Sequence, residues 1–232
     1  MGLAAMALSG FSLRSGTNPS PTSPSASTSF DLSEPTPTPM PTPTPTSEAP
    51  VGASILSDQI ASAETSWWAL SVSAGLVPGV IESTELSVVP DAPTLLTTAE
   101  VAVRLDAVPT LSGFVVVQAG AGDINNGTDA TVAISNIQAL WQAVQARGGV
   151  PVVALAPPSD VYGAEVIELN GLLQTSAAAN GFGVLDLYTP VAAPDGSWAD
   201  AYSIDGVSAD AAGAQLLAQT AITQLPQLVT PK

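Results

Sequence analysis

The stretch GFVVVQAGAGDINNGT, Gly113 to Thr128, carries an apolar segment into a glycine-rich polar loop that holds Asp123 and Asn125. Glycines allow backbone N–H groups to come close to a ligand, while Asp and Asn side chains at such a place either serve chemistry or brace the loop through local hydrogen bonds. Asp58, Asp123 and Asp205 are carboxylates that could gather around a metal, although nothing in their spacing requires it. The chain contains no His and no Cys. Imidazole acids, bases and ligands are therefore excluded, together with thiol nucleophiles, disulfides and the usual zinc sites. No cofactor is called for. Asn126-Gly127-Thr128 fits a glycosylation sequon, but Asn-Gly is a turn signal first.

Chemistry at such a loop needs elements to hold it, and the 232 residues suffice for one sizeable domain with appendages. Four basic residues stand against twenty acidic ones, a formal net charge of −16, so a nucleic acid would be repelled. Residues 1–16 form an apolar leader, too short to span a bilayer, which reads either as a truncated signal or anchor or as a plain leader. Residues 17–50 are rich in Pro, Thr and Ser, with a Pro-Thr alternation that denies a helix its hydrogen bonds and favours extended conformers. Such a segment is expected to be a stalk that holds the domain outside the cell or at its surface.

From residue 51 to 229 apolar runs alternate with amphipathic stretches. A very short first strand is expected at Ala49-Pro50-Val51, and a second in STELSVV, ended by Pro90. Buried strands are expected in GFVVVQAG, VPVVALAPP and FGVLDLY. Helices are expected in the segment containing Trp67 and Trp68, which read as core or groove-wall residues, in TLLTTAEVAVRLDAVPTL, and in a long stretch capped by Thr128 or Asp129 and stopped at Gly148-Gly149. Two more are expected in AEVIELNGLLQTSAAANG and ADAAGAQLLAQTAITQL. Strands that are apolar throughout and alternate with helices imply an α/β domain, a three-layer αβα sandwich around a mostly parallel sheet. Its working residues belong just beyond the carboxyl ends of the strands. The loops assigned to those ends are VGASILS, PDAPT, AGAGDINNGT, APPSD and SIDGVSADAAG.

The order and spacing of these loops resemble the SGNH (GDSL-type) hydrolases, esterases and acyl hydrolases with a flavodoxin-like fold. The family's Gly-Asp-Ser block corresponds to Gly52-Ala53-Ser54, its Gly-x-Asn-Asp block to Gly120-Ala121-Gly122-Asp123, and its Asp-x-x-His block to Asp205-Gly206-Val207-Ser208. The resemblance implies a nucleophile at Ser54, an orienting carboxylate at Asp205, and a pocket or oxyanion site at Gly52, Gly120, Gly122 and Asp123. It also exposes losses: Ser208 stands in place of the catalytic histidine and Gly122 in place of the oxyanion asparagine, while Pro90-Asp91-Ala92 follows the second strand where a glycine is expected. Losing a triad histidine costs on the order of 10⁶ in turnover and losing one oxyanion donor about 10² to 10³.

Each residue also has an ordinary reading, Ser54 as a small turn residue and Asp205 as a turn carboxylate before a helix. Three functions stay open: a catalytically impaired domain that binds a glycan, an acyl group or a surface protein; a serine hydrolase in which Asp123 or Asp205 activates Ser54; and a structural module of a surface assembly.

Overall fold

The computed structural model describes residues 53–59, 64–75, 83–85, 95–199 and 202–229. The leader, the Pro/Thr segment, the expected strand at 49–51, Gly52 and Pro90-Asp91-Ala92 lie outside them. The described elements run β1 (Ala53–Ser57), α1 (Trp67–Ser73), β2 (Ser83–Glu85), α2 (Thr98–Asp106), β3 (Phe114–Gln118), α3 (Ala121–Asn125), α4 (Ala130–Ala146), β4 (Val150–Ala154), α5 (Gly163–Asn180), β5 (Gly183–Leu185) and α6 (Ala211–Leu228). Five strands form one all-parallel sheet in the order β2-β1-β3-β4-β5, the flavodoxin-like order.

Period-2 alternation divides the core into two layers. Leu56, Val115, Val117 and Val153 face α2, α4 and α5, where Leu105, Ile137, Trp141, Leu169 and Leu173 are buried against them. Ile55, Val116, Val152 and Leu185 face α1 and α6, meeting Trp67, Trp68, Leu217 and Leu225. Trp67 and Trp68 are thus core residues, packed edge to face at 5.6 Å, with Trp67 Nε1 donating to Gln118 Oε1 at 3.1 Å.

Local signals account for the helix starts. Thr97 and Glu100 form a reciprocal capping box at the head of α2, and Asp129 caps α4 by accepting from Thr131 N–H. Two expectations require correction. Ala53–Ser57, the greater part of the segment read as a loop after the first strand, is itself β1, because Ile55 and Leu56 must lie between the apolar runs of its neighbours. The loop after β3 contains a short helix, α3, which its glycines conceal. Among the described residues no helix is long and apolar enough to cross a membrane.

Candidate functional site

At the carboxyl end of β1 the chain presents Ser57, Asp58 and Gln59 beside the end of β3: Ser57 pairs with Gln118, and Asp58 N–H continues the ladder to Gln118 O at 2.9 Å. Asp58 is completely buried. Its Oδ2 accepts from the N–H groups of Ala121 and Gly122 at 3.0 and 3.5 Å, tying the loop after β1 to the start of α3. Its Oδ1 has no hydrogen-bond partner among the described residues, and neither has the buried Nε2 of Gln59. Burial, reinforced by the neighbouring charge of Asp123, pushes the Asp58 carboxyl up to about 7 against the opposing N–H bonds from Gly122 and Ala121.

The glycines of the next loop have mechanical explanations. Gly120 has φ +112°, a conformation that disfavours any side chain, and a Cβ there would come within 2.9 Å of Ile137 and Leu169. Gly122 is squeezed by another strand of backbone: its Cβ would lie 2.0 Å from Leu96 O and 2.5 Å from Leu96 C. The segment Leu95–Thr98 is held there like a strap. Leu96 N–H donates to Asp58 O at 2.9 Å, and Thr98 donates to Asp123 Oδ2 through both N–H and hydroxyl, at 2.7 and 2.5 Å. Asp123, itself buried, thereby satisfies an otherwise orphaned donor of the first turn of α2.

The remaining loops close on this centre. Asn170 on α5 reads both backbone groups of Ala156, accepting from its N–H at 2.8 Å and donating to its carbonyl at 2.9 Å. Ser159 and Asp160 donate to the carbonyls of Gly196 and Gly206, and Asp160 Oδ1 accepts from Trp198 N–H. Leu95, Ala121, Ile124, Pro158, Tyr162 and Val207 then line a cleft of about 10 Å³, scarcely enough for one water.

The sequence-derived residues are divided by this geometry. Gly120, Gly122 and Asp123 do meet at the carboxyl edge. Ser54 does not: it is the second residue of β1, paired with Thr84 and Val115, three positions short of the strand end and thus about 10 Å below it at ~3.3 Å per residue. Asp205 braces a turn, its Oδ1 accepting from Ser208 N–H at 2.7 Å, Val207 N–H at 2.9 Å and Ser203 Oγ at 3.2 Å. Burial works to raise the Asp205 carboxyl, but these donors outweigh it and hold the carboxyl below its ordinary value. Ser208 is exposed and directly follows the cleft-lining Val207 in the chain. Gln59 was missed, and Asp58 was read only as a carboxylate that could gather around a metal; the pair Ile55-Leu56 leading into Ser-Asp is the signal that would have placed both at the strand end. No group of His, Cys, Asp or Glu suited to a metal exists among the described residues.

An αβα sandwich with this strand order and loops converging at the carboxyl edge is a flavodoxin-like fold, the architecture that SGNH hydrolases share. The profile of the GDSL-like Lipase/Acylhydrolase family matches residues 77–216, and the chain belongs to that family. Solved structures with the same fold include a lipolytic protein of the G-D-S-L family from Desulfitobacterium hafniense, 18% identical with a TM-score of 0.59, covering 74% of this chain and 98% of that one. Its counterpart from Veillonella parvula is 17% identical, TM-score 0.60, covering 76% and 99%. The psychrotrophic esterase EstA from Pseudoalteromonas sp., in a structure inhibited by monoethylphosphonate, is 17% identical, TM-score 0.56, covering 76% and 97%. No curated protein matches the chain.

Proposed function

We propose that this is a catalytically impaired member of the GDSL family that acts by binding, displayed outside the cell on its Pro/Thr stalk. One observation carries the reading: the carboxyl end of β1, where the fold presents the family's Gly-Asp-Ser block, delivers Ser57-Asp58-Gln59, so that an amide stands where the nucleophilic hydroxyl belongs. In that register Asp58 is the block's aspartate and Ser57 its glycine. The other losses are consistent with it. The chain has no histidine to deprotonate any serine. At position 122 a side chain has no room beside Leu96, so the oxyanion asparagine is missing and its space is filled. The display outside the cell rests on the composition of residues 17–50.

A second reading draws on Asp58. A carboxyl titrating near 7 is the kind of base that an unconventionally activated serine would need, and Ser57 is its chain neighbour. Against this, Ser57 is buried, and its Oγ accepts from Gln59 N–H at 3.0 Å.

One experiment separates them. The purified full chain is treated with a fluorophosphonate serine-hydrolase probe and read by intact mass, beside Ser54→Ala and Ser57→Ala variants and an active esterase. No adduct on folded protein is expected, with the esterase labelled normally. An adduct that disappears in either variant would overturn the reading and assign the nucleophile at once.

A further inference from the structure

Asp58 stands at a junction of elements with no cation to balance it. It is completely buried at the end of β1. Its N–H donates to Gln118 O of β3, its Oδ2 accepts from Ala121 and Gly122 of α3, and its carbonyl accepts from Leu96 of the strap. Its Oδ1 has no partner among the described residues. The cations among those residues are Arg104, in the last turn of α2, and Arg147, which is bound to Asp106. Asp58 pairs with neither.

The elements packed against Asp58 bring few titratable groups to it. β3 presents the neutral Gln118, and α3 presents Asp123, a second buried carboxylate that opposes a charge beside it. The strap leads into α2, which carries Glu100, exposed and closed into its capping box; the N–H and hydroxyl of Thr97 hold that carboxyl below its ordinary value. Ionisation of Glu100 therefore tightens the strap, and does so in the acid range. Asp58 works the other way. Two amide donors are all that its charged form would meet in the closed fold, and burial beside Asp123 keeps the carboxyl neutral up to about 7. Once ionised, it gains most by reaching water. Of the three segments bonded to it, the strap alone is neither strand nor helix, since residues 95–97 precede α2.

We propose that residues 95–98 form a pH-operated latch on the carboxyl edge: a proton on Asp58 keeps the strap shut, and its loss lets the strap open more readily and withdraw Leu95 from the wall of the cleft. The closed state holds the proton to higher pH than the open, hydrated state, so opening releases one proton. The open fraction therefore rises with pH until the closed carboxyl itself ionises near 7, and is level above that. The latch does not depend on whether the cleft binds or catalyses.

Amide hydrogen exchange of the ¹⁵N-labelled full chain, followed by NMR from pH 5 to pH 8 and corrected for intrinsic exchange, is the test. The N–H groups of Leu96 and Thr98, bonded to Asp58 O and Asp123 Oδ2, report the strap, while Val116 in the central strand reports global unfolding. Leu96 and Thr98 are expected to exchange through an opening that low urea leaves unchanged, with protection falling by up to about tenfold per pH unit to pH 7 and level beyond. Asp58→Asn, uncharged and of nearly the same shape, is expected to flatten that profile. Glu100→Gln, which keeps an acceptor for Thr97, is expected to leave it in place. The proposal is overturned by wild-type protection that is flat or rises with pH, or by Leu96 and Thr98 exchanging only in the global unfolding that frees Val116. A profile that Asp58→Asn leaves unchanged, or that Glu100→Gln abolishes, overturns it as well.

Discussion

The two ends of the sheet spend their polar groups differently. At the carboxyl edge the carboxylates are turned on the protein itself: buried Asp58 holds the start of α3, buried Asp123 holds the start of α2, and exposed Asp205 holds its own turn. At the opposite edge the carboxylate of Asp106 is exposed and meets Arg147 at 2.7 Å, while the amides around Trp141 face a cavity. The contrast teaches that, at the edge on which this fold ordinarily builds its chemistry, the carboxylates are engaged in holding the protein together. Its residues are now explained by what they hold together.

The sharpest way to break that comparison is Gly122→Asn, which restores the family's residue. If the strap is structural, the new Cβ must displace the backbone of Leu96, and the full chain should lose about 3 kcal/mol or more in urea denaturation. Unchanged stability would show that the strap yields easily and that the carboxyl edge still has room for a site. Asp123→Ala comes next, because it leaves the Thr98 N–H and hydroxyl unpaired in a buried place; about 2–3 kcal/mol is expected by the same measurement, and less for Asp123→Asn, which keeps one acceptor.

Asp58→Asn sharpens the comparison through pH. The folded carboxyl titrates near 7 and the unfolded one near 3.8, so between those values the native state keeps a proton that the unfolded state has lost. Stability contributed by this group therefore falls as pH rises through that window, at up to about 1.4 kcal/mol per pH unit, and is level above it. Asp205, held below its ordinary value, works in the opposite direction at lower pH. Thermal midpoints of wild type and Asp58→Asn should accordingly diverge from pH 4 to pH 7 in favour of the variant; parallel curves would mean that Asp58 is not neutral in the fold. The smallest effect belongs to the opposite edge. Asp106→Asn removes an ion pair whose carboxylate is 76% exposed, and its cost should stay within about 0.5 kcal/mol and shrink in salt.

The layers of the domain were legible because burial on both faces writes itself into the sequence. Val115-Val116-Val117 and Val152-Val153 read as covered strands, and Asp129 announces the start of α4. The candidate site was legible only at Gly120, Gly122 and Asp123, where strand, glycine loop and carboxylate are contiguous. At β1 the pattern misled: Gly52-Ala53-Ser54 offers a Gly-x-Ser spacing three residues before the strand end, and which residue reaches the edge is decided by pairing with Val115 to Gln118, a contact some sixty positions away in the chain. The reason for glycine at 122 was equally hidden. It is the approach of Leu96, a neighbour in space and not in sequence.

The contact between Gly122 and Leu96 also fixes an order of events. A side chain can return to position 122 only after the segment at 95–98 has been drawn back, and that segment is anchored by Asp58 and Asp123, which serve other parts of the fold. Restoring a hydroxyl at 59 or an imidazole at 208 first would gain nothing, since neither supplies the missing donor. On the proposed reading, single substitutions toward the family's residues thus begin with a loss at 122 or with no gain elsewhere, and the closed strap works as a ratchet against recovering catalysis.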